Sequence, residues 1–148
     1  MSQRLSDSEF KDIYSRVPRL CVDLVIRTPS GVILSLRKLP SWNGLWHLPG
    51  GTILYKEPAE KTVHRIAKSE LGADVSIKKV LGYIEFPSEE ATRGYGWSVS
   101  IVFLCELESD KIKTSNHDSY EIRAFTEIPE NIVPEHKEFL TRNWKEIF

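Results

Sequence analysis

A short stretch of the chain gathers residues able to do chemistry: Leu48-Pro49-Gly50-Gly51-Thr52-Ile53-Leu54-Tyr55-Lys56-Glu57, then Arg65, Glu70 and Gly72. A glycine pair ahead of a short strand lets backbone amides and carbonyls come close to a ligand. Alone, Pro-Gly-Gly reads as a turn as readily as a binding loop; its register with Glu57, Arg65, Glu70 and Gly72 gives it weight. Arg37 and Arg65 carry guanidinium forks that match phosphate oxygens bidentately, and their charge helps most as a bond to phosphate breaks. Each has a plainer reading: Arg65 as an ion pair with Glu57 fixing the junction of loop and helix, Arg37 as an outward strand residue. Asp23 lies in the apolar run Val22-Asp23-Leu24-Val25, where a carboxylate needs a partner or a functional pocket. His117, in the polar loop Thr114-Ser115-Asn116-His117-Asp118-Ser119, is a residue type that titrates near working pH, although a loop histidine is commonly just solvated. Phe10, Trp42, Trp46 and Tyr95 are candidates for stacking on a base or sugar, against the commoner role of aromatics in a core.

The surrounding pattern predicts the elements that position these groups. Ser6-Asp7-Ser8-Glu9 reads as a capping box that opens a short helix with Phe10, Ile13 and Tyr14 on one side, ending before Pro18. Strands are expected at Arg19–Arg27 and Val32–Lys38 around the turn Thr28-Pro29-Ser30-Gly31. A helix is expected from Pro58 to Leu71, with the stripe Ala59, Val63, Ile66, Ala67, Leu71 and a left-handed cap at Gly72. Further strands are expected at Val75–Phe86, Trp97–Leu107 and Tyr120–Thr126, with Pro87–Gly96 as a loop, and Pro134 opens a last helix carrying Phe139, Leu140, Trp144 and Ile147. There are no repeats, low-complexity tracts or linkers. One α+β domain over residues 1–148, with a mixed sheet and helices packed on it, is the expectation.

Composition bounds the function. Over 148 residues, 20 Lys+Arg face 21 Asp+Glu for a net charge of −1, so there is no basic face for duplex nucleic acid and phosphate binding must be local. Cys21 and Cys105 sit in apolar runs, as small buried hydrophobes rather than a disulfide. No apolar signal core or membrane-length stretch is present, which points to a cytoplasmic protein with no membrane partner.

The spacing Gly51-x5-Glu57-x7-Arg65 followed by Glu70-Leu71-Gly72 resembles the signature of the Nudix hydrolases, Gly-x5-Glu-x7-Arg-Glu-U-x-Glu-Glu-x-Gly-U, where U is a bulky aliphatic residue. Two glutamates of that signature are replaced by Ile66 and Ser69, and Ala67 and Ala73 are small for their aliphatic positions. On an α-helix, positions 66, 69 and 70 share a face. Three glutamates there would hold two or three divalent ions and support water attack on phosphorus. With Glu70 alone, about one Mg²⁺ or Mn²⁺ is expected, and ordinary phosphorus-centred chemistry is compromised.

The same two losses resemble the GDP-mannose mannosyl hydrolase (GDP-mannose glycosyl hydrolase) branch, over nearly the whole chain. That resemblance implies an α/β/α sandwich, a homodimer, a nucleotide-sugar substrate of GDP-mannose or GDP-glucose type, and water attack at the anomeric carbon with a nucleoside diphosphate leaving. It further implies His117 as general base, Gly50, Glu70 and Asn116 as metal ligands, Arg37 and Arg65 as leaving-group clamps, Asp23 at the sugar, and Phe10 reaching across the dimer toward the nucleotide. Asn116 stands where that branch usually has glutamine, and an Asx-turn is an equal reading of it. Thr52 stands where the branch usually has arginine, with Arg93 and Lys56 as basic residues able to stand in. Two alternatives remain open. One is a pyrophosphatase acting on phosphorus of another nucleoside diphosphate derivative, with Glu85, Glu89 or Glu90 recruited as ligands. The other is a non-catalytic nucleotide-sugar sensor.

Overall fold

The computed structural model describes residues 4–38, 41–109 and 121–148. Helix α1 (Asp7–Tyr14) opens with the expected capping box: the Glu9 amide donates to Ser6 Oγ at 3.2 Å and the Ser6 amide to Glu9 Oε1 at 3.0 Å. Strands β1 (Arg19–Thr28) and β2 (Gly31–Leu36) form a hairpin, followed by the short strands β3 (Trp46–His47) and β4 (Gly50–Thr52). Helix α2 (Ala59–Ile66) runs into a π-helical turn over Ala67–Leu71, closed by Gly72 in the left-handed region at φ 58°. Then come β5 (Val75–Glu85), α3 (Ser88–Arg93), β6 (Ser98–Leu107), β7 (Ile122–Phe125) and α4 (Pro134–Ile147).

Among the described residues the strands make one seven-stranded mixed sheet in the order β3-β2-β1-β6-β5, with β4 also on β1 and β7 on β2. At its centre β1 and β6 run parallel from Arg19↔Ser98 to Arg27↔Glu106. Alternation along β1 divides its side chains between two cores. Val22, Leu24 and Ile26 pack with Val63, Ile66, Ala67 and Leu71 beneath α2 and the π turn. Val25 packs with Val102, Leu104, Phe139, Leu140 and Ile147 beneath α4. The result is the α/β/α sandwich implied by the resemblance. Cys21 and Cys105 are both buried free thiols.

Two local expectations are corrected. Pro87–Gly96 contains helix α3 over Ser88–Arg93, starting after Pro87 and ending at Gly94 with φ 94°. The expected Pro58–Leu71 α-helix changes to π geometry at Ala67, within the segment that carries positions 66, 69 and 70. Ile66 is buried in the α2-side core, Ser69 is exposed with its hydroxyl donating to the Ile66 carbonyl at 3.3 Å, and Glu70 turns into a cleft.

Candidate functional site

A cleft of about 240 Å³ opens where β1, β4 and the π turn meet the loops after β2 and β5. Arg19, Cys21 and Asp23 reach it from β1, at every second residue, as one strand face must. Arg37, Trp42 and His47 line another side, Gly50, Gly51 and Thr52 the β4 edge, Glu70 the π turn, and Arg93 and His136 the helices α3 and α4.

Asp23 is 6% exposed and points to the α4 face, where its Oδ2 accepts from His136 Nε2 at 3.1 Å. The Leu48 amide donates to His136 Nδ1 at 3.2 Å, which leaves the ring proton on Nε2 and fixes this direction. Opposite Asp23 in the antiparallel β1–β4 pair stands Gly50. The ladder bonds Leu24 N–H to Pro49 O (2.8 Å) and Ile53 N–H to Leu20 O (3.0 Å) make Asp23–Gly50 a non-hydrogen-bonded pair. The amide and carbonyl of Gly50 therefore turn away from β1, toward the edge where Glu70 lies.

Glu70 Oε2 is buried and has no hydrogen-bond partner among the described residues. Burial above all, opposed by the Arg37 guanidinium and the Gly50 amide and aided by the Asp23 charge, leaves its carboxyl pushed up to about 8. An orphaned buried carboxylate oxygen beside an outward-turned backbone carbonyl suits a hard divalent cation, which takes oxygen donors. Among the described residues no three His, Cys, Asp or Glu side chains form a metal-holding group, so a cation here would rest on Glu70 and the backbone of Gly50. Asn116, the remaining ligand implied by the resemblance, and His117, the implied base, lie outside the described residues.

The His47 ring is buried in the cleft wall. Nδ1 pairs with the Leu48 carbonyl at 2.8 Å, and Nε2 has no partner among the described residues. Burial, reinforced by Arg37 and His136, holds it down to about 3, so the imidazole is neutral. Burial pushes the Cys21 thiol up to about 11, which makes it an inert part of the wall.

The arginines divide differently from expectation. Arg65 does not line the cleft. Its Nε donates to Glu57 Oε2 at 2.8 Å and its Nη2 to Glu57 Oε1 at 3.0 Å and the Thr52 carbonyl at 2.9 Å, tying the β4 end to α2. This is the plainer of its two readings, by which it fixes the β4 edge of the cleft. Arg65, together with Thr62 Oγ1 and the Leu54 amide, holds the Glu57 carboxyl down to about 2. A lowered folded value means that the carboxylate stabilises the fold above its ordinary value near 4.5, and that this stabilisation is lost as pH falls toward 2. Arg65→Ala is expected to cost about 2 kcal/mol in denaturant unfolding at neutral pH and to flatten that acid transition.

Arg37 does line the cleft, but its Nε donates to the Ser41 carbonyl at 2.8 Å and its Nη2 to Ser41 Oγ at 3.0 Å. Its guanidinium also lies 5.4 Å from the Trp42 ring centre. Trp42, at φ 53°, is pinned through Nε1 to Ser88 Oγ at 2.9 Å. Trp46 is buried in the α4-side core, whereas Tyr95 lies against Arg93 with 5.8 Å to its ring centre.

Sequence reading missed Arg19, which sits at Thr52: its Nη1 donates to Thr52 Oγ1 at 2.7 Å and its Nη2 to Glu89 Oε2 at 2.7 Å. The even spacing Arg19, Cys21, Asp23 is the signal that would have found it. Arg93 joins the same carboxylate oxygen at 2.9 Å, and Ser98 Oγ donates to Glu89 Oε1 at 2.8 Å. Phe10 stands over this cluster within its own chain, 5.3 Å from both guanidinium carbons. Lys56 does not line the cleft.

A model of the NUDIX domain family matches residues 17–142. The low-salt glycan biosynthesis protein Agl8 of Haloferax volcanii is 42% identical over 82 residues, 55% of this chain and 53% of that protein. An ADP-ribose pyrophosphatase of Methanocaldococcus jannaschii is 30% identical over 108 residues, 73% of this chain and 62% of that protein. The chain thus spans between half and two thirds of the length of these two relatives. Among solved structures, a MutT NUDIX hydrolase from Burkholderia pseudomallei superposes with a TM-score of 0.72 at 24% identity, covering 84% of this chain and 97% of that one. The NUDIX domain of Shewanella oneidensis NrtR, solved with ADP ribose, gives 0.67 at 20% identity, covering 97% and 100%. Both share the fold. Among the described residues no helix is long and apolar enough to cross a membrane.

Proposed function

This chain belongs to the Nudix domain family, and on that premise we propose that it hydrolyses a nucleotide-activated sugar, of the GDP-mannose or GDP-glucose class, by water attack at the anomeric carbon. The observation that carries the reading is the single carboxylate that the helix after the glycine pair presents to the cleft. Ile66 is part of the core, the Ser69 hydroxyl donates to the Ile66 carbonyl, and only Glu70 of the three positions lines the site. Glycosyl transfer to water needs less from a metal than attack on phosphorus, because the charge to be stabilised collects on the departing diphosphate. A cation held by Glu70 and the Gly50 carbonyl, with Asn116 as a third ligand, would neutralise that charge.

The protein's own groups have separate tasks in this reading. His117 takes the proton of the attacking water. Asp23, oriented by its hydrogen bond to His136, accepts hydrogen bonds from hexose hydroxyls. Arg37 contributes positive charge beside the leaving group, while Arg65 acts by fixing the β4 edge through Glu57 and Thr52. The new bond joins the water oxygen to the anomeric carbon, and the bond from that carbon to the diphosphate oxygen breaks. The products are a free hexose and a nucleoside diphosphate. The likeness to a glycan biosynthesis protein agrees with an activated sugar as substrate.

The likeness to an ADP-ribose pyrophosphatase favours a second reading, attack on phosphorus with two phosphate-bearing products. Against it, Glu89 is fully buried on Arg19, Arg93 and Ser98, and neither Glu85 nor Glu90 lines the cleft. Incubating the protein and Mg²⁺ with a panel of nucleotide sugars and separating the products decides between them. Free reducing sugar with a nucleoside diphosphate supports the proposal; a sugar phosphate with a nucleoside monophosphate overturns it. Tight binding without turnover would make the chain a sensor.

A further inference from the structure

We propose that Arg19 and Arg93, gathered on the single buried carboxylate of Glu89, form the diphosphate clamp of the cleft, with Glu89 as their positioning residue. The assignment rests on the nucleotide-sugar reading for its natural ligand, but its geometry stands independently. Two guanidinium groups share one carboxylate oxygen, at 2.7 Å from Arg19 and 2.9 Å from Arg93. One negative charge against two positive ones leaves the cluster with an excess positive charge, in surroundings where Glu89 is 0% exposed and the arginine side chains only 12% and 20%. Unbalanced charge in such a setting is costly unless an anion completes it.

The two side chains also come from elements fixed by independent forces. Arg19 begins the central parallel pair, at Arg19↔Ser98, and its second bond is to Thr52 on β4. Arg93 ends α3, whose first residue Ser88 is tied to Glu135 of α4 through its amide at 2.8 Å and its hydroxyl at 2.7 Å. Ser98 Oγ holds the other oxygen of Glu89, and Gly96 leaves room for that carboxyl: a Cβ there would stand 3.0 Å from it. Phe10 covers both guanidinium groups at 5.3 Å, excluding water from that side. What remains open is the side facing the cleft, toward Gly50, Thr52 and Glu70. A guanidinium has five N–H donors, and the hydrogen bonds described above engage Arg19 through two of its nitrogens and Arg93 through one. The geometry suits two adjacent tetrahedral oxyanions, a pyrophosphate unit, better than a lone carboxylate, since two forks are presented rather than one.

Inorganic pyrophosphate is the probe, because it carries neither sugar nor base and reports on the clamp whichever bond the protein breaks. Its dissociation constant is measured by titration calorimetry on the full chain in EDTA, so that no cation contributes. Wild type is expected to bind, and Arg93→Gln to weaken binding about 10-fold or more while Glu89 stays paired with Arg19. Arg93→Lys should fall between. Glu89→Gln keeps a carbonyl oxygen for the two arginines and an amide for the Ser98 hydroxyl, so it holds the clamp in place while removing the negative charge. Confirmed folded by circular dichroism, it is expected to tighten binding, whereas a merely structural role for the Glu89 charge would weaken it. The proposal is overturned by no measurable binding to wild type, by Arg93→Gln within twofold of wild type, or by weakened binding in folded Glu89→Gln. Failure of the carbon-attack reading would instead appear as sugar phosphate among the products with the clamp intact.

Discussion

Glu70→Gln is expected to abolish the response of the protein to divalent cations and to lower turnover about 10²–10³-fold, while raising the stability of the metal-free chain at alkaline pH. The opposite signs follow from one cause. Glu70 Oε2 is buried with no partner among the described residues, so the ionised carboxyl is unfavourable in the absence of a cation. Because burial raises its value from 4.5 to about 8, the folded chain binds more protons than the unfolded chain between those pH values. Its contribution is therefore fully present below about pH 4.5 and is lost as pH rises through about 8. A glutamine of the same size has no proton to lose and removes that decline, and it also removes the charge that would attract a cation. Thermal melts in EDTA from pH 5 to pH 9, repeated with Mg²⁺, check both halves. A glutamine variant that Mg²⁺ still stabilises as it does wild type would place the cation elsewhere.

Gly50→Ala is the second large effect. A Cβ on Gly50 would stand 2.1 Å from Asp23 Oδ1 and 2.5 Å from the Val22 carbonyl oxygen. Neither neighbour can yield freely, since Asp23 is bonded to His136 and Val22 belongs to the β1–β4 ladder. The cost is expected to be about 3 kcal/mol in unfolding free energy, together with loss of turnover, because the carboxylate proposed to face the sugar and the carbonyl proposed to face a cation both shift. Gly44→Ala is the contrast. Its φ is +80° but nothing lies within 4 Å of a Cβ there, so only the left-handed backbone cost of about 1 kcal/mol applies. Equal destabilisation of the two variants in chemical unfolding would mean that crowding at Asp23 is not what Gly50 relieves.

The residues that could be read correctly from sequence were those whose signal is local. Ser6 and Glu9 cap α1 as their spacing demands, and Gly72 adopts the left-handed cap. Asp23 in an apolar strand announced a partner, and His136 supplies it from α4 across 113 residues, a distance no local pattern can span. The π turn over Ala67–Leu71 is not visible in the sequence because Val63, Ile66, Ala67 and Leu71, all buried in the α2-side core, fit a 3.6-residue stripe. Helix α3 is six residues long and polar, so periodicity is silent, though Pro87 before it and Gly94 after it were usable marks. In the sequence Glu89 stands beside Glu90 in a segment expected as a loop, where the pattern offers it only as a recruited ligand. Its complete burial follows from two arginines that arrive from separate elements, Arg19 at the start of β1 and Arg93 at the end of α3.

The bond that breaks is the central matter, and isotope placement reads it directly. Turnover of a nucleotide sugar in ¹⁸O-labelled water, followed by mass spectrometry of the products, should find the label in the hexose and none in the nucleoside diphosphate. Label on a phosphate would mean that water attacks phosphorus despite the single carboxylate of Glu70, and would contradict the mechanism proposed for this cleft.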